Sequence, residues 1–182
     1  MNKLKCITPI LILFMIAVVV GVSGCTSTGS SAQQTYSDGS IKFNYTSGFQ
    51  NATPPSKVNS GTNDWVDVAF LANSDNTAIS IEKNNQLKDP SVGRADTDAS
   101  INATSGVTMS NVTHTTETNP NGITIFKSTS TIKDSEGTVT YITFYFKDNK
   151  GAVYSIGVFN DPSNSQKVSD TANTIFNSLS LN

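Results

Sequence analysis

The sequence predicts an α+β domain in which helices pack an antiparallel β-sheet, and three observations carry that prediction. Residues 122–160 hold three runs rich in β-branched and aromatic residues, Ile123–Ile132, Thr138–Phe146 and Val153–Phe159, the types that suit a pleated surface. The links between them, Lys133-Asp134-Ser135-Glu136-Gly137 and Lys147-Asp148-Asn149-Lys150-Gly151, are far too short for a parallel crossover and fit hairpins. Behind the third run, Val168, Ala172, Ile175, Phe176 and Leu179 form one helical stripe that needs an apolar surface.

Within the middle run, period-2 splitting puts Ile142, Phe144 and Phe146 on one face and Val139, Tyr141, Thr143 and Tyr145 on the other. Neither set is properly polar, so the strand is expected to be central and covered on both sides. In the third run Gly157 has nothing to pack, which marks a bulge or a close approach by another element. Asp161 is placed to cap the final helix and Pro162 to open it.

Earlier in the chain, Ser37 to Ser40 is a turn, and Ile41 to Tyr45 alternates as a first strand. Asn51 to Gly61 reads as a loop. Trp65 to Leu71 and Thr77 to Lys83 read as a hairpin across Asn73-Ser74-Asp75-Asn76. A helix over 92–104 is suggested by Val92, Ala95, Ala99 and Ala103, and Val107 to Thr118 is a polar, Thr-rich edge strand. The alternative architecture is an all-β sandwich with 162–179 as an appended helix.

The first 25 residues concern location. A short basic segment, Met1 to Lys5, precedes an apolar run from Cys6 to Val22, the organisation of a secretory signal peptide. Val22-Ser23-Gly24-Cys25 resembles the lipobox of prokaryotic lipoproteins. That resemblance implies a signal peptide over 1–24, cleavage before Cys25 and a lipid on its sulfur, so that Cys25 ties the chain to the membrane. The competing reading is an uncleaved transmembrane anchor. Residues 25–35 read as the lipidated cysteine and a flexible Ser/Thr/Gly tether, leaving 36–182 as a single domain.

The full chain carries 12 basic and 14 acidic residues, a net charge of −2. Losing Lys3 and Lys5 with the leader would bring it near −4. No nucleic-acid partner is expected from such a chain, and with Cys25 lipidated no intrachain disulfide can form. A monomer is expected.

A family resemblance rests on the two ends of the domain. The opening Ser37-Asp38-Gly39-Ser40-Ile41-Lys42-Phe43-Asn44-Tyr45-Thr46-Ser47-Gly48-Phe49 is similar to the opening of PsbP-related proteins, with Thr46 where those usually have Pro and Phe49 where they usually have Trp. The closing strand 153–159 and the helix ending Ile175-Phe176-Asn177-Ser178-Leu179 are similar too. The resemblance implies a PsbP/Mog-like α/β/α sandwich, and small lipoproteins of this kind are familiar from archaea and some bacteria. It implies no functional residues.

Motifs that carry chemistry are thin. His114 is the only histidine, and a zinc site draws on several ligands. Asp96-Thr97-Asp98 imitates the start of a calcium loop, but Ile101 and Val107 stand where the loop needs Gly and Glu, so Asp96 and Asp98 are read as surface charges. Asp64 and Asp67 are read as a solvated strand end. Ser80/Lys83 and Ser130/Lys133 have the serine–lysine spacing of penicillin-binding enzymes, yet in strands such residues point to opposite faces. Four Asn-x-Ser/Thr sequons begin at Asn44, Asn51, Asn102 and Asn111, and Asn102 and Asn111 are the better glycosylation candidates. No catalytic residue, metal ligand or cofactor follows. The expectation is a lipid-anchored, extracytoplasmic, non-enzymatic binding or accessory domain. The alternatives are an acidic-residue metal-binding surface protein (calcium, manganese or zinc) and a hydrolase with an unrecognised site.

Overall fold

The computed structural model describes residues 33–54 and 65–182. The signal peptide, Cys25, tether residues 26–32, most of the loop before Trp65, and Asp64 lie outside the described residues. Among the described residues no helix is long and apolar enough to cross a membrane.

The predicted hairpin series is present. Strands β4 (Val66–Ala72) and β5 (Ala78–Asn84) pair antiparallel, as do β6 (Thr108–Thr118), β7 (Thr124–Lys133), β8 (Thr138–Lys147) and β9 (Val153–Asn160) in succession. With the short β3 (Gln50–Asn51) they form a seven-stranded sheet in the order β3-β4-β5-β9-β8-β7-β6. β8 is interior and β6 is the edge, as the residue patterns require. Helix α1 (Pro90–Ala103) covers one face. A 3-10 turn, Pro162–Asn164, leads into helix α2 (Ser165–Ser178), which covers the other. A regular helix of 14 residues at α1 sets the all-β alternative aside.

Three parts of the architecture differ from the sequence reading. Gln33–Ser37 is strand β1, paired along β2 (Ile41–Thr46), so Gln33 to Thr35 belong to the domain and not to the tether. Their polar side chains are exposed, and Tyr36 stacks on Phe43 with ring centroids 5.0 Å apart. Asn51 lies in β3, paired with Leu71. The last residues form β10 (Ser180–Leu181), which joins β2 to complete a three-stranded sheet.

The main apolar core lies on the α2 side. Phe144, Phe146, Ile156, Val158, Ile79 and Ile81 meet Val168, Ala172, Ile175 and Leu179, with Ile41 and Phe43 of the small sheet closing over them. Val168, Ala172 and Ile175 of α2 and Leu179 at its C-cap are at most 1% exposed, so the predicted stripe is the packed one.

The chain's Asn and Asp residues organise its turns. Each hairpin opens on a side chain whose Oδ1 accepts two backbone N–H groups from the turn. Asp38 takes those of Ser40 and Ile41, Asn73 those of Asp75 and Thr77, and Asn119 those of Asn121 and Ile123. Asp134 takes Glu136 and Gly137, and Asp148 takes Lys150 and Ala152. These Asx-turns satisfy donors that no ladder reaches.

They also set an acid sensitivity. Burial alone would raise the Asp38 carboxyl. The N–H groups of Ile41 and Ser40, the Tyr154 hydroxyl and Lys83 outweigh it and hold Asp38 below the ordinary 3.8. The backbone and hydroxyl of Ser91 do the same for Asp89, and those of Ser163 for Asp161. A folded-state value below the unfolded one stabilises the fold at higher pH, and this contribution disappears on protonation. The melting temperature should therefore drop as pH falls from about 5 to about 2, and less steeply in Asp38→Asn. Identical slopes in the two proteins would remove Asp38 from this account.

Candidate functional site

The two faces of the large sheet differ in chemistry. Opposite the main apolar core, the register aligns Ser128 and Ser130 of β7, Tyr141, Thr143 and Tyr145 of β8, Ser155, Gly157 and Phe159 of β9, and Ser80 and Glu82 of β5. Aligned cross-strand residues share a face, so this is a hydroxyl-rich surface with aromatic rings between the hydroxyls. Helix α1 lies over its β6–β9 part.

Gly157 explains itself here. A Cβ built on it would lie 2.6 Å from the Tyr141 hydroxyl and 2.7 Å from Ser80 Oγ. The Tyr141 side chain crosses the neighbouring strand over bare backbone, a close approach as the lone glycine implied. Burial pushes the Tyr141 hydroxyl up to about 12, with Glu82 adding to the rise. Gly157→Ala should destabilise the domain by about 1–3 kcal/mol through overpacking. Urea unfolding measures this, and an unchanged midpoint would show that Tyr141 moves aside freely.

Tyr145 is buried beneath α1, and its hydroxyl bonds Thr97. Burial first, then Tyr141, raises it well above the ordinary tyrosine range. Trp65 meets the Tyr145 ring edge-on at 6.4 Å, and its indole would sit 3.1 Å from a Cβ at Gly93 of α1. Small and polar residues thus bring α1 onto the sheet. The predicted stripe was on the wrong side of this helix: Val92, Ala95, Ala99 and Ala103 are exposed, while Gly93 and Ile101 are buried.

Asp98 was read as a free surface charge and is not one. Its Oδ2 is 3.2 Å from His114 Nε2, and its side chain is 19% exposed. Burial raises its carboxyl, against the opposing pull of His114 and Arg94. Arg94 in turn lies over the Phe126 ring at 5.8 Å. Among the described residues no group of three or more His, Cys, Asp or Glu converges as metal ligands. The pair joins α1 to the edge strand.

Ser80 and Lys83 fall on opposite faces of β5, as strand geometry requires. Asn102 is exposed in the last turn of α1, where Thr104 Oγ1 donates to the Ser100 carbonyl at 2.8 Å. Asn111 is exposed at a bulge in β6 with φ of 53°, a left-handed position that Asn tolerates. Beyond α1, Phe159 joins Phe70 at 6.1 Å and Tyr141 at 5.6 Å in a half-buried aromatic row. Sequence reasoning missed that row because its members come from three strands.

No protein-family model matches the chain, and no curated protein sequence does. Among solved structures, the chain is similar to cyanobacterial PsbP (CyanoP) from Synechocystis, at 14% identity and a TM-score of 0.56, covering 88% of this chain and 99% of that one. It is also similar to LpqN of Mycobacterium tuberculosis, whose structure is described as that of a protein involved in cell envelope biogenesis, at 12% identity and a TM-score of 0.47, covering 84% and 92%. At such identity the likeness to CyanoP concerns the fold, and the fold of this chain is a PsbP-like α+β fold.

Proposed function

We propose that the chain is a lipid-anchored, extracytoplasmic, non-enzymatic binding domain that engages its partner through the face beside α1. The observation that supports binding is the contrast between the two sides of one sheet. The α2 side holds the apolar core, its aliphatic side chains mixed with Phe43, Phe144 and Phe146. The α1 side buries tyrosine, serine and threonine hydroxyls under the helix and leaves a half-buried Phe70–Phe159–Tyr141 row beside it. Rings with adjacent hydroxyls suit recognition, since they offer area and hydrogen bonds with little lost rotamer freedom.

The leader and the Val22-Ser23-Gly24-Cys25 motif support the address. In this reading Cys25 holds the lipid, and Asn102 and Asn111 are the positions open to glycosylation in a host that glycosylates secreted proteins. Membrane fractionation of the full chain, with mass spectrometry of the mature N-terminus, tests the anchor. The expected product starts at an acylated Cys25 and is released by detergent, while Cys25→Ser is not retained. A soluble cytosolic chain still starting at Met1 would refute the address. Capture from solubilised envelopes tests the face: wild type should recover a partner that Phe70→Ala/Phe159→Ala does not, and equal recovery by both would sink that part.

A further inference from the structure

At one end of the large sheet, the β1–β2 turn and the β8–β9 turn converge on Lys83 of β5 and Tyr154 of β9. Tyr154 is buried, stacks on Phe146 at 5.8 Å, and donates its hydroxyl hydrogen bond to Asp38 Oδ2 at 2.9 Å. Lys83 Nζ lies 5.3 Å from the Tyr154 ring centroid. Asp148 has a side chain only 1% exposed. Its Oδ1 accepts the Lys150 N–H at 2.9 Å and the Ala152 N–H at 2.8 Å. Its Oδ2 is buried and accepts no hydrogen bond, with Lys83 Nζ facing it at 3.9 Å.

As an ion pair this is a poor arrangement. Removing a carboxylate from water is offset only by close contacts and full hydrogen bonding, and here one oxygen has neither. As a reactive pair it has its parts in place, an amine facing a buried carboxyl whose other oxygen is held by two backbone N–H groups. We propose that Lys83 and Asp148 condense to an intramolecular amide, a covalent cross-link between strand β5 and the β8–β9 turn.

The balance needs no external reagent. The Lys83 ammonium passes one proton to the facing Oδ2, and the freed amine Nζ attacks Cγ of the now neutral Asp148 carboxyl. The new charge develops on Oδ1, where two backbone N–H groups already point, the arrangement of an oxyanion hole. Collapse breaks the Cγ–Oδ2 bond. Oδ2 leaves as water, carrying the two protons that the ammonium loses on becoming an amide N–H. Condensation is unfavourable between free partners in water, but a held geometry supplies effective molarities on the order of 10⁵–10⁸ M. The product also replaces a buried carboxylate and a partly exposed ammonium with one neutral group.

The test is the mass of the folded full chain, measured after denaturation, with peptide mapping. Wild type should be lighter by one water than the mass of its mature sequence, while Lys83→Arg and Asp148→Ala should show none of that loss. Digestion should give a branched peptide joining the two segments and no cleavage after Lys83. A wild-type chain at full mass and cut normally after Lys83 overturns the proposal, whether or not the variants fold.

Discussion

Phe144→Ala should unfold at much lower urea than wild type, with a loss of about 3–5 kcal/mol. Phe144 is 1% exposed in the interior strand β8 and faces Phe176 of α2 with ring centroids 6.1 Å apart. Truncation loses the transfer free energy of the ring and leaves a cavity between a sheet and a helix, two stiff elements that collapse poorly onto each other. Tyr141→Phe on the same strand is the contrast, because it removes only a hydroxyl from the opposite face. A loss under about 1 kcal/mol for Phe144→Ala would mean that the α2 side is not the core.

The second large effect belongs to a polar residue. Asn119 is buried, and its one side chain makes four hydrogen bonds. Oδ1 accepts the N–H groups of Asn121 and Ile123, while Nδ2 donates to the Phe176 carbonyl at 3.1 Å and the Leu179 carbonyl at 2.7 Å. It therefore shapes the β6–β7 turn and also satisfies carbonyls at the end of α2, where helices leave such groups unpaired. Asn119→Ala should destabilise by roughly 2–4 kcal/mol, since buried groups lose their partners at both ends. Asn119→Asp should be at least as damaging despite its matching shape, because a carboxylate cannot donate and would face two carbonyl oxygens. Thermal melts of the two variants decide this, and a silent Asn119→Asp would contradict it.

Asn119 also shows where sequence reading stops. Asn119-Pro120-Asn121-Gly122 is legible as a turn from composition, but its amide partners lie 57 and 60 residues away. Local periodicity carries no trace of them. The strands β7 to β9 and helix α2 were legible because alternation and a helical stripe record which side is buried. Helix α1 was legible in extent and not in orientation. It packs on a largely polar face through Gly93, Thr97, Asp98 and Ile101, so Val92, Ala95, Ala99 and Ala103 are left outside. β1 and β10 carried no apolar pattern, since backbone pairing with β2 forms them. The candidate face was legible only at Gly157 and in the Tyr141/Thr143/Tyr145 alternation. The His114–Asp98 pair joins a strand to a helix, and no spacing rule connects those positions.

The seam between β2 and β10 has a consequence for the order of events as the polypeptide is made. Leu181 pairs with Ile41 and Ser180 with Lys42, so a strand near the start waits for the last residues before its second edge is satisfied. Contacts this distant in sequence are slow to form. The small sheet therefore closes only once residues 180–181 are available to β2, and a polypeptide cut after Leu179 should keep the β7–β9 meander yet leave the roof over Ile41 and Phe43 ajar.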